Sequence, residues 1–419
     1  MADRVVLAYS GSAGSTAGIG WLRAATGKDV VTLTVDVGQG GEDLGLLRQR
    51  ALDAGAVESV VVDAKDEFAD DHIAAALRAN ACHQGAPLVG ALTRPLVAQH
   101  LALTARQLGA DSVAHGGAAT GDGHVRFETA VAAVAPGLVS IRVPEHAPAQ
   151  PTAAVPATVA TTMTDVATTM TEVATTMTDA TPLEPYSVEQ DVWGRSVQGG
   201  VLDDPWAAPP EDLFTWTQDP TVARDADEVT LTFERGVPVA IDGQRFSVLR
   251  VVQELNALAG KHGVGRIDVV EDGIVGVKSR RLHEAPAAVA LIAAHQELEH
   301  LTLERDVLRQ KRQVDVRWAD LVHDGLWFGG LKRGLDAFID HTQQHVSGDV
   351  RLRLHGGRAV VTGRRSGQSL YDFELATETG GGHAGGGHAD GAHAGVVPDA
   401  FADVWALPGR TAARRDLAN

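Results

Sequence analysis

The first third of the chain alternates short, continuous apolar runs with longer stretches of helical periodicity. Val5-Val6-Leu7-Ala8-Tyr9 reads as a buried strand; after a Ser/Gly/Thr turn, a helix runs through Trp21-Leu22 and closes near Gly27. Val30 to Val35 reads as the next strand, Leu44 to Ala54 as a helix, and Ser59 to Val62 as a third strand. Arg94 to Leu108 is helical in pattern, and Ser112-Val113-Ala114 returns to strand. Strands alternating with helices predict a parallel sheet covered on both faces, with Ser10 to Thr16 at its carboxyl edge.

Beyond about residue 183 the pattern becomes α+β. Val229-Thr-Leu-Thr-Phe and Val237-Pro-Val-Ala-Ile-Asp-Gly predict two strands joined by a turn. Val248 to Ala259 predicts a helix stopped by Gly260. One long helix is expected from Ala287 to about Arg312, and another through Leu331 to Thr342. Val350 to Leu354 and Ala359 to Val361 read as strands.

Two segments interrupt this regularity. Residues 147–182 are rich in Ala, Pro and Thr and hold a seven-residue repeat: Ala160-Thr-Thr-Met-Thr-Asp-Val, again from Ala167 and again from Ala174. Met163, Val166, Ala167 and Met170 would share one helix face, but the composition equally suits a loose linker. Residues 379–394 are mostly Gly, Ala and His and read as a solvated linker. The expected division is therefore 1–146, an α/β domain; 147–182, a linker; 183–378, an α+β domain; 379–396, a second linker; and 397–419, a tail that docks on a neighbour.

Charge and cysteine usage narrow the partners. Lys and Arg number 36 against 54 Asp and Glu, a net charge of −18. Such a chain repels phosphate backbones and anionic lipid, so neither nucleic acid nor a membrane surface is expected. Cys82 stands alone, which excludes an intrachain disulfide and suits a reducing compartment. The longest apolar stretch, Ala285 to Ala294, falls short of the roughly 20 residues a spanning helix needs. The expected location is the cytoplasm.

The most informative local feature is Ala8-Tyr9-Ser10-Gly11-Ser12-Ala13-Gly14-Ser15-Thr16, between the first strand and the first helix. Small residues let backbone N–H groups close on an anion, and the helix N-terminus adds partial positive charge. It is neither a Walker loop nor a dinucleotide fingerprint. Many Ser/Gly turns merely join a strand to a helix, so the loop alone carries little weight.

The loop is similar to the pyrophosphate-binding loop of ATP pyrophosphatases, Ser-Gly-Gly-x-Asp-Thr/Ser-Ser. Ser10, Gly11, Ser15 and Thr16 match it, while Ser12 replaces a Gly and Gly14 replaces the Asp. Further segments follow in order: Asp36-Val-Gly-Gln-Gly-Gly-Glu42-Asp43, Ala114-His-Gly, Val125-Arg126-Phe127-Glu128, Asp191-Val-Trp-Gly-Arg195-Ser196 and Val264-Gly-Arg-Ile-Asp268-Val-Val-Glu271. Gly276-Val-Lys278-Ser-Arg280, Leu298 to Arg305, Asp324-Gly-Leu-Trp-Phe328, Ser369-Leu-Tyr-Asp372 and Ala413-Arg-Arg-Asp-Leu417 continue the series. Together these segments resemble the argininosuccinate synthase family across nearly the whole chain. The resemblance implies an α/β fold: a parallel-sheet nucleotide-binding domain of the ATP-pyrophosphatase type, then an α+β synthetase domain and a C-terminal tail.

The family condenses citrulline with aspartate, releasing AMP and pyrophosphate from ATP, with Mg2+ accompanying the nucleotide; its members are homotetramers. The resemblance implies ATP at Ala8 to Thr16, Val35 and Gly116. It implies citrulline at Arg126, Ser187, Ser196, Glu271 and His283, with Ala86, Gly90 and Ala91 standing where the family has Tyr and a Thr/Ser pair. Aspartate would meet Ala118, Asp122 and Gly123 in place of Thr, Asn and Asp. Arg126 and Asp122 are the positions implied for catalysis. No metal ligand set is expected. Each lost hydrogen bond to a charged substrate group costs roughly 1.5–3 kcal/mol, and Asp122 adds a charge that repels a dicarboxylate. Two functions follow: a synthase-like ligase of impaired activity, or a weak paralogue that binds or assembles. Taken by residue type alone, Arg126 and Glu271 read as solvated or salt-bridged, Ser187 and Ser196 as turn or cap residues, and His283 as a surface histidine.

Overall fold

The structure is a computed structural model that describes residues 3–41, 43–116, 122–144, 186–222, 225–371 and 398–418. The seven-residue repeat, the Gly/His-rich stretch, Glu42 and Ala118 lie outside the described residues.

The apolar runs of the first third pair as a five-stranded parallel sheet. Its strands are β1 (Arg4–Ala8), β2 (Asp29–Asp36), β3 (Glu58–Asp63), β6 (Ser112–Gly116) and β7 (Val139–Val143), in the order β3-β2-β1-β6-β7. The two-residue strands β4 (Cys82–His83) and β5 (Ala86–Pro87) form a separate hairpin. Val5, Val6 and Leu7 are all fully buried, because the sheet is covered on both faces. Val5 and Leu7 pack with Ile19, Leu22 and Leu47 from the helices Ala13–Thr26 and Leu44–Asp53. Val6 faces the opposite core with Leu96, Leu101 and Phe127 from the helices Thr93–Leu108 and Gly123–Val134. Gly27 ends the first helix in the left-handed conformation, as its position in the sequence predicts. The chain runs outward from β1 to β2 and β3, then returns to β6 on the other side. That reversal opens a crevice at the carboxyl ends of β1 and β6, where open α/β sheets take their ligands.

The second half holds two antiparallel sheets. One has four strands, in the order β13-β14-β9-β8: β8 (Ser187–Asp191), β9 (Gly194–Gln198), β13 (Arg266–Asp272) and β14 (Lys278–Glu284). The other runs β12-β11-β10-β15-β16, from β10 (Asp227–Glu234), β11 (Val237–Ile241), β12 (Gln244–Arg245), β15 (Gly348–His355) and β16 (Arg358–Arg365). Val229, Leu231 and Phe233 alternate inward on β10 opposite Val350, Leu352 and Leu354 of β15. They join the same core as Val6 and Leu96, with the helices Val248–Gly260 and Pro286–Thr302 between.

The long helix expected over Ala287 to Arg312 is two helices, Pro286–Thr302 and Arg305–His323. Leu303 and Glu304 between them are extended. The break lets the second helix fold back, so that buried Lys311 reaches Glu299 at 2.9 Å and Asp315 at 2.8 Å. In one continuous helix, the twelve residues from Glu299 to Lys311 would span about 18 Å. Asn80 donates to Glu299 and Asp315 at 2.8 and 3.0 Å, tying the first half of the chain into this buried network. The tail, expected to dock on a neighbour, forms the helix Pro398–Ala418 and reaches its own chain: Arg415 Nη1 donates to the Thr302 carbonyl at 2.8 Å. No described helix is long and apolar enough to cross a membrane.

Candidate active site

Ser10 to Thr16 occupies the carboxyl edge of the parallel sheet, as predicted. Ser12 caps the helix Ala13–Thr26, accepting from the Ser15 N–H at 3.2 Å. The hydroxyls of Ser10, Ser12 and Ser15 bond to one another at 3.1–3.3 Å. Tyr9 OH lies 3.0 Å from Thr16 Oγ1, and Thr34 donates to the Tyr9 carbonyl at 3.0 Å. Gly11 has φ +79°, and a Cβ there would lie 2.0 Å from Leu47 Cδ2. Its carbonyl accepts from Arg50 Nη1 at 2.9 Å. The loop is thus pinned by its neighbours without a carboxylate at position 14. Ala8 pairs with Leu33 of β2 on one side and His115 of β6 on the other, so Val35 and Gly116 flank the loop. The N–H groups of the first helical turn face this edge with the positive end of the helix dipole, which suits an anionic phosphate.

Asp36 caps the turn after β2: it accepts from the Gly38 N–H at 2.9 Å and pairs with Lys65. The turn that follows docks on the four-stranded sheet. Val192 N donates to the Val37 carbonyl at 3.0 Å, and Gln190 Nε2 to the Gln39 carbonyl at 2.6 Å. The sheet carrying the implied substrate residues is thereby held beside the nucleotide edge.

Strand period then decides which side chains meet. Register pairs Ser196 of β9 with both Glu189 of β8 and His283 of β14, and pairs Glu271 of β13 with Ser279. Ser187, Glu189, Ser196, Glu271, Arg281 and His283 therefore share one face of the sheet. The other face packs Val197 and Leu282 against Leu202 and Leu213. A small cavity opens where the polar face meets the hairpin β4–β5, the helix Gly123–Val134 and the end of the helix Arg305–His323. Arg126, Glu271, His283, Ala86 and Ala91 line it, together with His83, Arg281 and His323.

Several single-residue readings change in this setting. His283 is not at the surface; it is 4% exposed, and both its ring nitrogens lack a partner. Ser187 and Ser196 are strand residues rather than caps, with Ser187 exposed at the rim and Ser196 buried beside His283. Arg126 and Glu271 are buried and ion-paired. Arg281 Nε lies 2.7 Å from Glu271 Oε1, and His283 Nε2 is 3.9 Å from the other carboxylate oxygen. Burial works against the charged form of Glu271, yet His283 and Arg281 keep its pKa below the ordinary glutamate value. Arg126 donates from Nε to the His323 carbonyl, and its Nη2 lies 2.8 Å from His323 Nε2 and 3.4 Å from Asp122 Oδ2. The charge of Asp122, expected to repel a dicarboxylate, is thus largely taken up by Arg126. Burial, with Arg126 and His83 nearby, pushes His323 down to about 4.

The glycines where the family has hydroxyl or acidic residues are also explained. A Cβ on Gly90, at φ +75°, would lie 2.3 Å from Glu189 Oε2. Glu189 fills that space, paired with Arg94 and 4.0 Å from Arg281. A Cβ on Gly123 would sit 3.3 Å from Arg94 Nη2, beside the same pair. Sequence reasoning missed Glu189, Arg281, His83 and His323. The alternation of Arg281 with His283 and of Ser187 with Glu189 was a usable signal; His323, at a helix end, carried none.

Comparison with protein families agrees with this geometry. The family model described as the arginosuccinate synthase N-terminal HUP domain matches residues 4–150, and that of the arginosuccinate synthase C-terminal domain matches residues 186–391. The first contains the parallel sheet and its loop, and the HUP domain of this family binds ATP-type nucleotides. The second contains both antiparallel sheets. The chain belongs to the argininosuccinate synthase family.

Proposed function

We propose that the protein is an ATP-dependent carbon–nitrogen ligase that condenses citrulline with aspartate, releasing AMP and pyrophosphate, and that its turnover is low. The observation that carries this reading is the docking of the turn Val37–Gln39 on β8 and β9. It sets a partly open pocket with charged residues in its lining against the phosphate-suited edge of a parallel sheet, the arrangement a two-substrate nucleotide reaction needs.

In this reading the loop Ser10 to Thr16 holds the triphosphate through N–H and hydroxyl donors. Mg2+ would ride on the phosphate oxygens, since the loop from Tyr9 to Thr16 has no carboxylate of its own. The ureido oxygen of citrulline attacks the α-phosphate and pyrophosphate leaves. The aspartate amine then attacks the activated carbon, forming the carbon–nitrogen bond as AMP departs. Glu271 accepts from a substrate N–H, while Arg281 and Arg126 offset negative charge. Low turnover follows because Arg126 already serves His323 and Asp122, and Glu189 fills the space beside Gly90. The assembly expected is a cytoplasmic homotetramer, which light scattering tests.

Release of AMP and pyrophosphate, measured with ATP, citrulline and aspartate together, tests the whole reading. Slow release that requires all three substrates supports it. No release above background at saturating substrate rejects it in favour of a binding or assembly role.

A further inference from the structure

His83 was not among the residues the sequence singled out, yet its ring is held from three sides. Gln84 and Gly85, both with positive φ, close the tight hairpin β4–β5 and set His83 directly opposite Ala86. Cross-strand partners lie on one face, and Ala86 offers only a methyl group, so the cavity reaches the imidazole. His83 Nδ1 lies 3.2 Å from Asp320 Oδ1. An ionised carboxylate can only accept, so Nδ1 carries the hydrogen and the Nε2 of the neutral ring is left as an acceptor. That Nε2 is buried and without a partner.

One face of the ring stacks on His323, with centroids 3.7 Å apart and planes within 10°. His323 is itself fixed, with Nε2 2.8 Å from Arg126 Nη2 and Nδ1 3.3 Å from Asp324 Oδ1. The charged and titratable groups around His83 are Asp320 and His323 on the helix Arg305–His323, Arg126 beyond His323, Glu271 and Asp272 on β13, and Arg281 and His283 on β14. Asp272 is engaged by Gln84 Nε2 at 3.1 Å and by Lys278 at 2.6 Å. Glu271 is engaged by Arg281. His83 therefore lines the cavity with a pre-oriented ring, and its Nε2 acceptor has no hydrogen-bond partner among the described residues.

We propose that His83 is a substrate-contacting residue whose Nε2 accepts a hydrogen bond from an N–H of the bound ligand, an ammonium or ureido group, and that Asp320 is its positioning residue. The proposal rests on the reading of this cavity as the amino-acid site. A buried acceptor without a partner is unfavourable until a donor meets it, so the pocket selects N–H over carboxylate at this point.

The test is calorimetric titration of citrulline into the full-length protein at about pH 8, where a neutral imidazole accepts. His83→Phe keeps the stack on His323 and removes the acceptor. It should weaken citrulline binding by about tenfold. Asp320→Ala, at a partly exposed position, leaves the ring in place but frees its tautomer, and should cost about threefold. It carries the test if His83→Phe melts at a lower temperature than the wild type. Citrulline binding of unchanged strength in both variants overturns the proposal and leaves the amino-acid reading intact. A wild-type protein that binds no citrulline overturns that reading, and the role of His83 falls with it.

Discussion

At the start of the first helix, the hydroxyls of Ser10, Ser12 and Ser15 bond within one short segment, and the backbone around them is fixed by Gly11 and Arg50. In the cavity around Glu271, polar groups arrive from five separate parts of the chain, and among the described residues both His283 nitrogens and His83 Nε2 are buried without a hydrogen-bond partner. The loop is local, redundant and satisfied; the cavity is non-local, and each member depends on the others. A local polar site tolerates the loss of one group, because its neighbours and solvent take over. A buried, assembled one does not, since each deletion strands a partner in low dielectric.

The largest effect should come from Arg126. Arg126→Ala strands the His323 carbonyl, His323 Nε2 and Asp122 together, and should cost about 3–5 kcal/mol in urea denaturation as well as abolishing ligase activity. A cost under about 1 kcal/mol would remove the distinction between cavity and loop.

Next in size is Gly90→Thr, which brings back a family residue type at a position this chain has filled from elsewhere. With Cβ 2.3 Å from Glu189 Oε2 and φ at +75°, it should cost about 1–3 kcal/mol and reduce citrulline affinity rather than improve it. A double-mutant cycle with Glu189→Ala should recover part of the loss. Simple additivity in that cycle would show that Gly90 and Glu189 are not coupled.

A smaller effect is the pH dependence contributed by His323. Its folded-state pKa of about 4 lies below the 6.5 expected of the unfolded chain. The unfolded chain therefore binds a proton first, and the contribution is present above pH 6.5 and lost as pH falls towards about 4. His323→Asn should show a shallower fall in unfolding free energy across that window. Equal slopes in both proteins would mean the ring is not buried as described.

The smallest change is expected in the loop. Ser10→Ala should alter stability by no more than about 0.5 kcal/mol and weaken ATP by at most about tenfold, since Ser12 and Ser15 remain. Complete loss of ATP binding would show that the hydroxyls act as one unit, like the cavity.

The parallel sheet, its loop and most helices were legible because their signals are local: apolar runs, helical period and a glycine stop at Gly27. The break at Leu303 was not legible. No Pro or Gly marks it, and the turn is made favourable by Lys311 meeting Glu299, a contact between two helices. The resemblance pointed to Arg126, Glu271 and His283, which line one cavity, and to Ser196, which pairs with His283 beside it, but it gave no hint that Glu189 stands in the space beside Gly90.

Residue type and spacing by themselves determined where strands begin, where the phosphate-suited loop lies, and that an acidic chain with one cysteine avoids nucleic acid and disulfides as expectations. Only the tertiary structure decided which distant side chains share a cavity and which of their atoms remain unpaired. The β9–β14 register sets Ser196 beside His283, and the seating of the hairpin β4–β5 on the helix Arg305–His323 stacks His83 on His323. Those outcomes depend on register, burial and long-range packing, quantities that a residue does not carry until the rest of the chain has folded around it.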